Sequence, residues 1–287
     1  MNIGFIGAGK AGTALGRYLV YHHNVVVGYA SRTEASAQEA ASITHTRYFV
    51  SALELAKASD LIVISTPDSA LSLVWDELCL AHDQGEIVLT SKIVIHLSGC
   101  STSAVFDGAH DRGVSVCSAH PLLAFGSKDC AHEQLASAHF SLEGDQEALD
   151  HVIPILKKAG NAVHILRAED KALYHAAAVF ASNLVLAPLN ASVHLLANCG
   201  FSEEDARKAL TTLIRENIEN FCRQGAVFSL TGPVERGDDK TIAAHLAVLD
   251  KHSKELYCTL SQALVSIAQE KHPERTYESL KAIEKGS

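Results

Sequence analysis

The most pointed chemistry in the chain lies along one predicted helix. Lys171 and His175 are four apart and share a helical face, Ser182 follows seven beyond His175, and Asn183 flanks it. Most surrounding positions are Ala, Val, Leu or Phe. Burying an unpartnered polar group costs about 1–3 kcal/mol, so such a row needs partners or a task. A lysine ammonium or an imidazole there can donate a proton to a developing alkoxide, and the Asn183 amide can orient a carbonyl. Spacing alone leaves open which of Lys171 and His175 is the donor.

Three further places carry chemistry. The apolar run Ile93–Leu97 ends in Ser98 and Gly99, and the run Val114–Cys117 leads to Ala119, His120 and Pro121. A residue before proline is held extended, which lets the His120 ring face a cleft, so Ser98 and His120 are expected to touch substrate. His96, inside its strand, reads as a core histidine. Thr231-Gly232-Pro233-Val234-Glu235-Arg236-Gly237-Asp238 is a shaped loop between helices. Its Arg236 guanidinium suits bidentate binding of a substrate carboxylate. The bland alternative is a capped turn in which Asp238 starts the next helix.

A cofactor is implied at the start. The short apolar run Ile3–Ile6 passes directly into Gly7-Ala8-Gly9-Lys10-Ala11-Gly12, which opens a helix. In that strand–turn–helix context the first glycine permits the turn, the second lets backbone approach a pyrophosphate, and the third lets helix and strand pack closely. The helix start adds free N–H groups for the phosphates. No acidic residue precedes Glu34, and Ser31, Arg32 and Thr33 stand where an NAD site needs a carboxylate. Arg32 instead suits a 2′-phosphate, so the expected cofactor is NADP. Thr66, Pro67 and Asp68 end the apolar strand Leu61–Ser65, on the edge where open α/β sheets bind ligands. Asp68 is expected there as an N-cap of the following helix.

Alternating strand and helix signals position these residues through about residue 167, and helices alone come after it, at roughly 168–199, 202–223 and 239–272. The predicted fold is α/β: a mostly parallel, Rossmann-like cofactor-binding domain over 1–167, then an all-α substrate and dimerisation domain over 168–287. The 287 residues are 47% hydrophobic and 20% charged, ample for a core. A net charge of −9 argues against a nucleic-acid partner. The cysteines at 79, 100, 117, 130, 199, 222 and 258 are scattered, as in a reducing compartment, and no metal-ligand spacing appears among the 16 histidines. The start of the chain lacks the features of a signal peptide. The apolar stretch 176–197 is broken by Ser182, Asn183, Pro188, Asn190, Ser192 and His194, and reads as a buried helix, not a membrane span. A cytoplasmic homodimer is expected.

The G-A-G-K-A-G loop, the S-R pair, H-L-S-G, A-H-P-L, Y-H-A-A-A-V-F-A-S-N and T-G-P-V-E-R-G-D together resemble one family, over roughly residues 2 to 270. It joins a Rossmann-like domain to a helical domain long catalogued as of unknown function. It is similar in architecture to pyrroline-5-carboxylate reductases, β-hydroxyacid dehydrogenases and ketopantoate reductases. The resemblance implies NADPH-dependent reduction of a small 2-oxo acid, best guess 2-dehydropantoate, in pantothenate synthesis. Pyrroline-5-carboxylate reductase-like or β-hydroxyacid dehydrogenase activity is the alternative, and a non-catalytic NADP(H) sensor the second. Lys171 and His175 match the Lys-x-x-x-Asn helix of the dehydrogenases with His replacing Asn, and Asn183 matches a positioning amide.

Overall fold

Runs of Ile, Val, Phe and Leu bounded by glycine and polar turns become the strands of one sheet, as expected of buried parallel strands. The computed structural model describes residues 1–128 and 132–278. Its strands are β1 (Asn2–Ile6), β2 (Val25–Ala30), β3 (Arg47–Tyr48), β4 (Leu61–Ile64), β5 (Ile93–His96), β6 (Ser115–Pro121), β7 (Phe140–Gly144) and β8 (Val163–Ile165). They lie in the order β3-β2-β1-β4-β5-β6-β7-β8. Every pairing is parallel except β6 with β7. The direction of winding reverses between β1 and β4, which makes the space beyond their C-terminal ends a switch point.

Helices α1 (Lys10–Tyr21), α2 (Glu34–Thr44), α3 (Ala52–Ala58), α4 (Leu71–Asp83), α5 (His132–Ala136) and α6 (Gln146–Lys158) accompany the sheet. Alternate strand residues feed two cores. Phe5, Val63, Ile95 and Cys117 join Leu15 and Tyr18 of α1 and Val152 of α6. Ile6, Ile64, Val94 and Val116 join Leu55 of α3 and Trp75 of α4. Between β5 and β6 the chain forms two 3₁₀ turns, Ser103–Val105 and His110–Arg112, in place of an α-helix. Cys130 lies outside the described residues; the other six cysteines are free thiols.

The chain divides into two compact units, Met1–Ser182 and Asn183–Ser287. Strand signals end at about residue 167, but α7 (Lys171–Val179) belongs with the sheet. The continuous helix predicted over 168–199 is interrupted by a π turn, Phe180–Leu184, before α8 (Leu186–Asn198). The extra residue of a π turn rotates the later part of a helix by about 100°. The common face expected for Lys171, His175, Ser182 and Asn183 is therefore not kept: Ser182 is exposed and bonds back to Ala178 O at 2.7 Å.

The second unit also holds α9 (Glu203–Ser229), α10 (Pro233–Arg236), α11 (Asp239–Val248) and α12 (Lys251–Lys271). Gly225, at φ 76°, kinks α9, and Asp250 caps α12 after a break that sequence periodicity ran through. Val234, Ile242, Val265, Ala268 and Tyr277 form its core. The expectation that 176–197 is buried is not met within one chain. No residue of α8 is buried, and Leu173, Phe180, Leu184 and Leu186 are exposed. By length and composition alone, 168–198 would also suffice to cross a membrane.

Candidate active site

The glycine loop is built to be bare. Gly7 has φ 109°, and a Cβ there would stand 2.8 Å from the Ser65 carbonyl carbon. A Cβ on Gly12 would meet Ser65 Oγ at 2.1 Å, whereas one on Gly9 would meet nothing within 4 Å. The loop is thus pressed against the end of β4 on one side and open at Gly9. Ala8 is buried beneath it, while Lys10 is exposed and Ala11 partly so. Gly7 N–H donates to Ala30 O at 2.8 Å, tying the loop to the end of β2, where Ser31 and exposed Arg32 come next. The first turn of α1 carries no acidic residue, and no side chain caps it. Thr66 Oγ1, beside Gly7, is buried with no partner among the described residues. A bare open turn, an uncapped helix start and an orphaned hydroxyl fit the phosphates of a dinucleotide.

Next along the same edge, Pro67 and Asp68 are exposed. The capping role expected for Asp68 is not seen: it makes no cap bond to α4 and instead accepts from Ser98 Oγ at 2.6 Å. Ser98 Oγ in turn accepts from the N–H groups of Cys100 and Ser101, at 3.2 and 3.0 Å. The Ser98 hydroxyl is therefore consumed in shaping the turn after β5. His96 supports the turn from below, accepting Ser98 N–H at Nδ1 and meeting Thr102 O through Nε2, at 3.1 Å each. Those partners leave Nε2 as the protonated nitrogen. Burial, then the Lys171 charge, pushes the His96 pKa down to about 4.

Register explains what lies beside this turn. His96 pairs across β5 and β6 with Ser118, Ser118 pairs across β6 and β7 with Glu143, and His120 pairs with Ser141. Paired residues share a face, and positions two apart in a strand share it too. Glu143 is 6% exposed and accepts Ser103 N–H at 2.9 Å, Ser103 Oγ at 2.7 Å and Ser118 Oγ at 3.2 Å. Lys171 comes down onto this row from the start of α7. It is 1% exposed, and its Nζ donates to Ser98 O at 3.0 Å and Ser118 Oγ at 2.8 Å. Burial pulls the Lys171 pKa below its ordinary value, opposed by the carboxylates of Glu143 and Asp68.

Two imidazoles close over the turn. A methyl group on Gly99 would stand 2.6 Å from His175 Cδ2 and 2.9 Å from His120 Nε2. The rings meet edge to face, centroids 6.3 Å apart. His120 Nδ1 is 2.7 Å from the Tyr174 hydroxyl. Burial first, then the charges of Lys171 and His175, pushes the His120 pKa down to about 4.

Asp68, Ser98, His120, Lys171 and His175 are thus gathered at one rim of the first unit. Asn183 and Arg236 belong to the second unit, where both are exposed. There Arg236 ends α10 between Gly232 and Gly237, both at positive φ, and Asp238 caps α11 by accepting from Thr241 N–H at 3.1 Å. Sequence reasoning passed over Ser118, Ser141, Glu143 and Tyr174. The available signal was two polar residues two apart in each of two neighbouring strands, and a tyrosine three residues after Lys171 on a helix. A cavity of about 380 Å³ beside His110 and Asp145 lies at the other end of β6; Ser103 lines it, and Asp68, Ser98, His120, Lys171 and His175 do not.

Residues 1–121 match a family model described as a Rossmann-like domain, and residues 138–264 match a domain of unknown function, DUF2520. No curated protein matches. Among solved structures the chain is similar to a putative NADP oxidoreductase from Bacteroides fragilis, 24% identical, over 92% of this chain and 98% of that one, with a TM-score of 0.73. A Thermotoga maritima protein gives 24% identity, 94% and 99% coverage and a TM-score of 0.71. Plasmodium falciparum pyrroline carboxylate reductase with NADP bound gives 16%, 99% and 98%, and 0.59. The chain carries a Rossmann-like domain followed by a domain of the DUF2520 family.

Proposed function

We propose that the protein is an NADP(H)-dependent oxidoreductase that reduces the carbonyl of a small 2-oxo acid, with 2-dehydropantoate as the first substrate to test. The carrying observation is the bare loop Gly7–Gly12 with the orphaned Thr66 hydroxyl beside it. Gly7, Ala8, Gly9, Lys10, Ala11 and Gly12 with Thr66, Pro67 and Asp68 would line the pyrophosphate end, and Ser31 and Arg32 the 2′-phosphate. NADP-linked oxidoreductases of the same fold support this reading. When bound, such a dinucleotide supplies the hydride for a carbonyl carbon.

The residues then divide by burial. Lys171 is sealed, with Nζ engaged by Ser98 O and Ser118 Oγ, so its task in this reading is to hold the Ser98–Gly99 turn. The two half-buried imidazoles at Gly99 face the reacting group: His175 gives the proton to the developing alkoxide, and His120 hydrogen-bonds its oxygen. Asn183 and Arg236 keep the roles their residue types suggest, carbonyl positioning and carboxylate binding. We further propose a homodimer in which a second copy covers Leu173, Phe180, Leu184 and Leu186, since single proteins rarely leave such patches bare. Light scattering of the purified chain in detergent-free buffer tests this.

The test of function is direct. NADPH binding is measured by fluorescence, then NADPH oxidation is followed with 2-dehydropantoate and with pyrroline-5-carboxylate. Tight NADPH binding with turnover of the 2-oxo acid is expected. Binding without turnover of either compound would point to the sensor reading, and turnover of the imine alone to a pyrroline-5-carboxylate reductase-like enzyme.

A further inference from the structure

Arg236 sits on a turn that its own sequence does little to hold. α10 is one helical turn, Pro233–Arg236, entered at Gly232 (φ 102°) and left at Gly237 (φ 68°). A single turn is unstable by itself, and flanking glycines add freedom. The grip comes from the segment 272–277, which follows α12. Tyr277 is 1% exposed, with its ring in the core of Val234 and Ile242, and its hydroxyl donates to Glu235 O at 2.8 Å. Arg275 donates to the same carbonyl at 3.1 Å. Its guanidinium also lies 3.6 Å from the Glu235 carboxylate, which pairs with His272. A methyl group on Gly237 would stand 3.8 Å from the Tyr277 ring. The residue before Arg236 is thus held at carbonyl and carboxylate, and the residue after it lies on a buried ring. Gln269 of α12 donates to Arg275 O at 2.9 Å and so shapes the strap itself.

We infer that the strap 272–277 positions Arg236 for the carboxylate of the substrate, and that Tyr277 and Arg275 thereby set a preference for acids over uncharged carbonyl compounds. This rests on the reductase reading above and deepens the role that reading gives Arg236. Two acids stand close to Arg236 in the chain, and either could take the guanidinium for itself. Both are engaged elsewhere. The Glu235 carboxylate meets His272 and Arg275, and the Asp238 carboxylate accepts from Thr241 N–H at 3.1 Å and Thr241 Oγ1 at 2.7 Å. The Arg236 side chain is left exposed. A guanidinium binds a carboxylate best through two parallel bonds, and that fork tolerates little tilt of the backbone carrying it. A turn free to rock would lose part of the binding energy to ordering. Tyr277, Arg275 and His272 are positioning residues here, acting through Arg236.

The experiment compares full-length wild type with Tyr277→Phe, Arg275→Gln and Arg236→Gln, with urea unfolding as the check that each variant folds. Amide hydrogen exchange at Arg236, Gly237 and Asp238 is read first, without substrate or cofactor. Tyr277→Phe keeps the buried ring, loses one bond and is expected to exchange there about tenfold faster. NADPH oxidation is then followed with 2-dehydropantoate and with its uncharged primary amide. Arg236→Gln is expected to raise KM for the acid by about 10–100-fold and to leave KM for the amide unchanged. Tyr277→Phe and Arg275→Gln are each expected to raise KM for the acid about three- to tenfold, at unchanged kcat and NADPH affinity. Combined with Arg236→Gln, they are expected to add nothing further. Equal KM changes for acid and amide, a strap effect that adds to Arg236→Gln, or unmoved exchange in both strap variants overturns this inference alone. An unchanged KM in Arg236→Gln removes the carboxylate role from the reading above and takes this inference with it. Absence of any turnover counts against the reductase reading as a whole.

Discussion

Two polar clusters look alike in sequence and differ in what their polar groups are left to do. At the sheet rim, Glu143 is held by Ser103 and Ser118, Lys171 bridges Ser118 to the Ser98 carbonyl, and the chain of contacts ends at two imidazoles over a bare glycine. In the loop 231–238 of the second unit, Glu235 pairs with His272 and, at 3.6 Å, with Arg275. Its carbonyl accepts from Tyr277 at 2.8 Å and from Arg275 at 3.1 Å. Lys271 donates to Leu230 O at 2.8 Å just before the loop. The charges drawn into that loop close on neighbours; Arg236 is exposed, and its charge helps to hold the Asp238 pKa down. The first arrangement is a buried scaffold that presents something; the second is a clasp. Satisfied polar groups hold a shape, and chemistry needs a group left over after the shape is held.

The sharpest way to break the comparison is to remove the carboxylate from each. Glu143→Leu leaves the Ser103 N–H and the Ser103 and Ser118 hydroxyls without their acceptor and removes the nearby charge that offsets the buried Lys171 ammonium, and is expected to cost about 3–5 kcal/mol in urea unfolding. Glu235→Gln, part-exposed and able to keep hydrogen bonds, should cost about 1 kcal/mol. Equal losses would mean that Glu143 is no more buried in solution than Glu235.

His120→Ala should leave unfolding nearly unchanged and lower kcat by about 10²–10³, the cost of one donor to a developing oxyanion. Acid separates structure from chemistry in a third way. His96 has a folded pKa of about 4, below its ordinary value near 6.5, so the unfolded chain binds the proton first. Stability is therefore full above about pH 6.5 and falls as pH drops toward 4, by about 3 kcal/mol in all for this group. His96→Gln should flatten that slope; an unaltered slope in denaturant midpoints between pH 7 and 4.5 would sink the assignment.

Arg32→Glu should weaken NADPH binding by about tenfold or more and leave NADH less affected, since a charged hydrogen bond is worth about 1.5–3 kcal/mol. Parallel titrations of the two dinucleotides measure it. The smallest effect belongs to the clasp. Asp238→Ala removes the α11 cap and should cost about 1 kcal/mol of stability with no change in NADPH affinity.

Much of the first unit was readable in one dimension. Alternation of apolar runs with helical periods, and glycines directly after a strand, are local patterns, and they located β1, α1 and the Ser31–Arg32 turn. The reading went astray where a residue's partner was far away in the chain. Asp68 had the look of a cap, but Ser98 lies nearer in space than the amides of the following helix turn. Lys171 had the look of an acid on a helix face, but β6 and β7 close over its ammonium.

By itself, the order of residues determined that a βα glycine turn would form, that no acidic residue would precede Glu34, and that helices alone would come after the last strand. Those are consequences of short-range sterics and of apolar spacing. Only tertiary structure decided that β6 and β7 run antiparallel in the register joining Ser118 to Glu143 and His120 to Ser141. Periodicity tells which face a side chain takes, and it carries no information about which distant strand, or which helix, will supply the atom opposite.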